Sequence, residues 1–246
     1  MTSQSLPVWW LGRQAYVPVL ELQRRLFAAR QRGESEDVAL FVEHPPVVTL
    51  GRGAKAEHLL ASAGTLQHLG IDVARVERGG DVTLHAPGQL VCYPILDLRP
   101  DRCDVRRYVN GLTEAMCRVL GDYGVQAGTV PGMVGTWVDA AEPKRWAGAA
   151  QARSLAKVGA VGVRISRWVT MHGYALNLST DLGLFRHIVP CGIRQYPVTS
   201  LAALVGVAPA ISEVLPSASA HLARALGMDQ GPLSDLSGST VDALGR

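Results

Sequence analysis

Four cysteines carry the thiols of this chain, Cys92, Cys103, Cys117 and Cys191, and their settings differ. Cys191 stands in HIVPCGI, where Pro190 and Gly192 give a constrained, irregular backbone that can present a thiol to a pocket. Burial as a small apolar side chain is the commoner fate of a lone cysteine, so packing and attack are both open for it. Cys92 alternates with Val91 and Tyr93 in an apolar strand and reads as core, as does Cys117 beside an apolar helical stripe. Cys103, between Arg102 and Asp104, reads as surface. An attacking thiol needs a base or cation within hydrogen-bond reach. The candidates are His85, His172, His187 and Lys157.

His187 precedes Cys191 by four residues with Pro190 between them, so their geometry cannot be read locally. His172, in TMHGYAL, reads first as a satisfied structural histidine. Lys157 opens the small-residue strand VGAVG, where a solvated strand end is the ordinary reading. Of 24 basic residues, however, only Lys55, Lys144 and Lys157 are lysines. A chain that otherwise chooses arginine keeps lysine where an ammonium must titrate. RGGDVTLHAPGQL, residues 78–90, is a hairpin with turns at Gly79-Gly80 and Pro87-Gly88, or else a backbone cradle for a ligand with Arg78 and His85 on its rim.

The elements that must position these groups follow from pattern. At 246 residues, 48% hydrophobic and 18% charged, the chain can bury a full core and is globular. A net charge of +3 is too mild for nucleic acid and suits acidic protein partners. No run approaches the roughly 18 apolar residues of a membrane span. No C-x-x-C pair, zinc-spaced cluster or secretory segment appears, which predicts a reduced, cytoplasmic setting without a metal.

A helix is predicted from Pro18, with Val19, Leu22, Leu26 and Ala29 on one face and Gly33 at its end. Strands follow in DVALFVEHPPVVTLGRG, broken at Pro45-Pro46, and in IDVARVERGGDVTLHAPGQLVCYPILDL. Asp104 caps the strongest helix, striped by Val105, Tyr108, Val109, Leu112, Met116, Val119 and Tyr123. GTWV at 135–138 reads as a strand, and VGVRISRWVTMHGYALNLS as two strands with a hairpin near Ser166-Arg167. Residues 139–156 read as a mobile loop or short helix inserted between them. Helices are expected over 199–205 and 215–226, with Pro216 near the start of the latter. The tail 229–246 shows no periodicity and is expected to be partly disordered, after one catalytic domain over 1–228. Strands and helices without regular alternation predict an α+β, mixed α/β fold.

Three blocks, RGGDVTLHAPGQLVCYPI, then Lys157 leading into VGAVGVRI, then HGYALNLSTDLGLFRHIVPCGI, resemble the lipoyl(octanoyl) transferase family of protein lipoylation. The likeness runs from about Leu40 to Leu201. It implies the fold of the biotin and lipoate protein ligase catalytic domains, a mixed sheet flanked by helices. It also implies that Cys191 accepts the acyl group and that Lys157 lowers its pKa. Arg78, Gly79, Gly80, Asp81, Val82, Thr83, Leu84 and His85 would line the substrate site, with Ala160, Val161, Gly162, Gly173, Tyr174 and Ala175. Leu84 and Ala86 replace an aromatic and a glycine common in the family, which would reshape the pocket. The partners implied are octanoyl-acyl carrier protein and, as acceptors, lipoyl domains of 2-oxoacid dehydrogenases and the glycine cleavage H protein. No cofactor is implied, because one thioester exchanges for another. An ATP-dependent lipoate or biotin ligase of the same fold, a non-enzymatic acyl-carrier-binding protein and a thioesterase-like hydrolase are the rival readings.

Overall fold

The computed structural model describes residues 4–244. The chain opens with β1 (Ser5–Arg13), α1 (Tyr16–Arg32), β2 (Val38–Glu43), β3 (Val47–Leu50), α2 (Ala63–His68), β4 (Asp72–Arg75), β5 (Val82–His85) and β6 (Gln89–Ile95). It continues through α3 (Val105–Asp122), β7 (Ala127–Val130), β8 (Met133–Asp139), β9 (Leu155–Ser166) and β10 (Val169–Asn177). It ends with α4 (Leu201–Val205), α5 (Ile211–Ala225) and β11 (Asp229–Asp235). Eight strands form one mixed sheet in the order β11-β1-β2-β6-β10-β9-β8-β7, and β4-β3-β5 form a small second sheet. This is the α+β arrangement the irregular alternation predicts.

β6 and β10 are buried along their whole length, because helices cover both faces of the sheet centre. On one face Leu112, Met116 and Val119 of α3 and Val214 and Leu222 of α5 pack on Phe41, Cys92 and Tyr174. On the other, Leu22 and Leu26 of α1 meet Leu40, Val91 and Tyr93. The Asp104 side chain caps α3 by accepting from the Arg107 N–H, as its position predicts. Gly33, in the left-handed conformation, ends α1. No helix among the described residues is long and apolar enough to cross a membrane.

Several expectations are corrected. α1 begins at Tyr16, so Pro18 lies within the first turn, where no helical partner for its nitrogen exists. α5 begins at Ile211, where the Glu213 carboxylate accepts from the Ala210 N–H, and Pro216 falls in the second turn. The hairpin expected near Ser166-Arg167 does join β9 to β10, turning on Arg167 and Trp168, both with positive φ. Gly79-Gly80 is no hairpin: β4 and β5 flank β3, so this segment crosses over it. α2 carries too short a pattern to be read from sequence, although Ser62 caps it. Cys117 is half-buried, with burial pushing its thiol pKa up to about 11, and Cys103 is also half-buried instead of exposed.

The tail also differs from expectation over its first residues, while residues 245–246 lie outside the described ones. Residues 229–235 add to the sheet as β11, parallel to β1. Backbone bonding at an edge holds this strand, so its sequence needs no alternation. The 139–156 segment forms an anchored loop in which the Asp139 carboxylate accepts from the N–H groups of Ala141, Arg153 and Ser154.

Candidate active site

Cys191 sits on a tight turn, Pro190–Gly192, with φ 55° and ψ 20°. A non-glycine residue in this left-handed region is strained, and such strain collects where a side chain must be aimed. The N–H groups of Gly192 and Ile193 bond back to Val189 and Pro190, and the Val189 N–H donates to the His58 carbonyl at 2.8 Å. Downstream, the chain is fastened beside β9: the Lys157 N–H donates to Pro197 O at 2.9 Å, and the Thr199 N–H to Lys157 O at 2.8 Å. The backbone of Lys157 thus holds the segment that carries Cys191.

The side chains meet for the same reason. Lys157 Nζ lies 3.2 Å from Cys191 Sγ and donates to Val134 O at 2.8 Å. Lys157 is only 5% exposed, which corrects its reading as a solvated strand end. Its stem crosses Gly135, where a Cβ would stand 2.6 Å from Lys157 Cε, and its ammonium lies 5.5 Å from the Trp137 ring centre. Glycine at 135 makes room for the lysine, and Trp137 supplies a face that favours its cation. Of the other candidates, His187 lines none of the space around Sγ. His85 is committed through Nδ1 to Gln89 Oε1 at 2.7 Å.

Cys191 opens onto a cavity of about 230 Å³ between β5, β9 and β10. Of the residues expected in the substrate site, Arg78, Gly80, Asp81, Thr83, His85, Ala160, Val161, Gly162, Gly173, Tyr174 and Ala175 line it. Gly79 does not; its N–H donates to Val163 O at 2.8 Å and ties the crossover to β9. Val82 and Leu84 point away into the core of the small sheet, because side chains alternate along β5. Tyr16, Tyr93, Val134, His172 and Ile193 line the cavity without having been expected there. Alternation placed Tyr93 in an apolar strand, Tyr16 lay before the expected start of its helix, and nothing in the sequence told core from cavity. No residue of the 140–154 loop reaches the cavity.

Arg78 is the cavity's fixed cation. It is 7% exposed and bonds Thr49 O at 2.7 Å and Thr49 Oγ1 at 2.8 Å, with no carboxylate partner among the described residues. Burial pushes its pKa down. His44 and His85 are held neutral by burial, with pKa values pushed down to about 4 and about 3. His44 donates Nδ1–H to Gln14 O and accepts at Nε2 from the Tyr93 hydroxyl. His172, expected to be satisfied, is 1% exposed with φ 59° and has no partner at either ring nitrogen among the described residues. Burial also pushes its pKa down to about 3. Among the described residues no cluster of side chains could hold a metal ion.

This arrangement can generate a thiolate beside a small, largely apolar chamber and stabilise negative charge there. The family model of the lipoyl protein ligase A/B catalytic domain matches residues 15–223. An octanoyltransferase of Solibacter usitatus is 46% identical over 226 residues, covering 92% of this chain and 95% of that one. One from Chloroflexus aurantiacus is 46% identical over 212 residues, covering 86% and 89%. A bipartite lipoate protein ligase from Thermoplasma acidophilum shares the fold, with a TM-score of 0.68 at 16% identity over 98% of this chain and 93% of that one. Lipoate-protein ligase A bound with ATP does so with a TM-score of 0.66 at 17% identity, over 98% and 95%. The chain therefore belongs to the lipoyl protein ligase A/B catalytic-domain family and, by its kinship with the octanoyltransferases, is an acyltransferase.

Proposed function

We propose that this protein moves an octanoyl group from an acyl carrier protein thioester to a lysine of a lipoyl domain, through a thioester on Cys191. The observation that carries this reading is the 3.2 Å contact between Lys157 Nζ and Cys191 Sγ at the mouth of the cavity. An ATP-dependent ligase, which activates its acid as an adenylate, has no use for that contact.

In the first half-reaction the acyl chain occupies the cavity and its carbonyl lies at Sγ. Lys157 takes the thiol proton, and the thiolate attacks the carbonyl carbon. The tetrahedral intermediate expels the carrier thiolate, which recovers that proton from Lys157. Thioester replaces thioester, so no energy-rich cofactor is consumed. In the second, the acceptor amine attacks acyl-Cys191, its proton passes to Lys157, and Cys191 leaves as thiolate. A lysine amine with an ordinary pKa of about 10.4 is mostly protonated at neutral pH, so a base at this point is needed. An oxyanion forms in both steps. The N–H groups of Gly192 and Ile193 are used within the turn, so the positive charge at hand is the Lys157 ammonium beside Sγ, with the buried Arg78 guanidinium in the cavity wall as a second cation.

Intact-protein mass spectrometry after incubation with octanoyl-carrier protein tests the reading. One added octanoyl group is expected, absent in Cys191→Ser and present in Cys92→Ser, Cys103→Ser and Cys117→Ser. A full-strength, base-labile adduct on Cys191→Ser refutes the assignment.

A further inference from the structure

A second depression, of about 500 Å³, lies on the outer side of the Cys191 turn. Its walls are apolar, and two of them are exposed: Leu60 is 52% and Tyr196 37% accessible. It adjoins the acyl site. Ile193 lines both this groove and the acyl cavity, and Pro190 lines both the groove and the recess that holds Lys157 and Cys191. Residues on either side of Cys191 are thus walls of the groove.

The charge of the groove has one sign. Arg186 and Arg194 are its charged liners, both exposed and neither paired with a carboxylate among the described residues, and no carboxylate lines it. We propose that this groove receives the phosphopantetheine arm of the acyl carrier protein, Arg186 and Arg194 pairing with the arm's phosphodiester. The inference rests on the reading above that the donor is carrier-bound. A guanidinium fits a phosphate in a two-bond fork, and the apolar walls fit the arm's hydrocarbon and amide stretches. The same two cations disfavour entry of a protonated acceptor lysine. The donor, and not the lipoyl domain, is therefore the occupant, and an acidic carrier surface gains from the same field on approach.

The test is single-turnover acylation of the double variant Arg186→Glu/Arg194→Glu by two donors, octanoyl-carrier protein and the octanoyl thioester of N-acetylcysteamine, which lacks the phosphate. Transfer from pre-acylated protein to a lipoyl domain is measured alongside. Acylation by the carrier is expected to fall at least about tenfold, with the small thioester and the transfer step within about twofold of the unsubstituted protein. Added salt should slow carrier acylation in the unsubstituted protein and speed it in the charge-reversed variant, where it screens a repulsion. Equal slowing with both donors, selective slowing of transfer, or no change each overturns the proposal. Arg186→Ala/Arg194→Ala, expected to show the same donor selectivity at smaller size, serves if the charge reversal does not fold. Failure of the unsubstituted protein to form acyl-Cys191 from either donor overturns the transferase reading itself, and this inference with it.

Discussion

His58 donates its Nδ1–H to the carboxylate of Asp81, and Gly192 rests against both side chains. A Cβ at Gly192, where φ is +70°, would stand 2.9 Å from Asp81 Oδ2 and 3.2 Å from His58 Cε1. Asp81 also accepts from the backbone N–H groups of Lys55 and Val82, so it is fixed before the cysteine turn lands on it. The strained φ of Cys191 is thus braced from below, which is how a reactive side chain keeps its aim. Asp81→Asn is expected to fold, with an unchanged circular dichroism spectrum, and to slow acylation by a small octanoyl thioester about tenfold, or ~1.4 kcal/mol of barrier. Gly192→Ala should do worse, since it adds a clash to a backbone that disfavours a side chain. Unchanged acylation in both variants would show that the turn holds itself.

Lys157→Arg separates charge from proton transfer, because arginine keeps the cation and does not give up its proton at accessible pH. Acylation should survive in part, since the thiol can lose its proton to solvent and the retained charge favours thiolate. Transfer to the lipoyl-domain amine should slow much more, so acyl-enzyme accumulates. Gly135→Ala is the companion: its Cβ would meet Lys157 Cε at 2.6 Å, displace the amine and impair both half-reactions. Single-turnover rates of each half-reaction decide it, and near-normal transfer by Lys157→Arg removes the base role.

The chemistry of this site was legible in residue types more than in local pattern. Lys157 and Cys191 lie 34 residues apart, and what joins them is the backbone bonding of residues 197–199 to Lys157, which no short-range periodicity encodes. Asp104, Gly33 and the stripe of α3 were readable because capping and 3.6-residue spacing are local. β11 was not: an edge strand held by β1 carries no buried face to print an alternation. Gly79-Gly80 looked like a turn because a glycine pair suits a hairpin and a crossover equally. His172 looked satisfied because neither its left-handed φ nor the absence of a ring partner among the described residues is visible in TMHGYAL.

One carboxylate gathers both ends of the loop over 140–154. Asp139 accepts from three backbone N–H groups, at 3.1, 2.8 and 3.0 Å, and these bonds hold its carboxyl below the ordinary carboxylate range. Asp139→Ala is expected to open residues 140–154 to limited proteolysis while leaving Cys191 acylation intact, because no residue of the loop lines the cavity. Deletion of the segment should likewise spare acylation and alter transfer. Mass mapping of the first cleavage site checks the former; acylation lost together with the loop would place it in the donor's path.

Three buried histidines make stability depend on pH in a window set by their shifts. Burial pushes the pKa of His44 down to about 4 and those of His85 and His172 to about 3. In the unfolded chain each ring takes a proton near pH 6.5, while in the folded protein it stays neutral until far lower. Between about pH 6.5 and 4 the unfolded state therefore holds more protons, and unfolding free energy falls as pH falls, by up to ~1.4 kcal/mol per pH unit for each ring. Above about 6.5 the rings are neutral in both states and contribute no slope. His172→Asn isolates one of them, since asparagine tolerates the left-handed backbone better than most residues and does not titrate. Carboxylates also titrate in this window, but they are common to both proteins and cancel in the difference. Urea unfolding of both at pH 5, 6 and 7 should show a shallower dependence in the variant, by about one proton between pH 5 and 6. Parallel curves would mean that His172 is charged, or freely hydrated, in the folded protein.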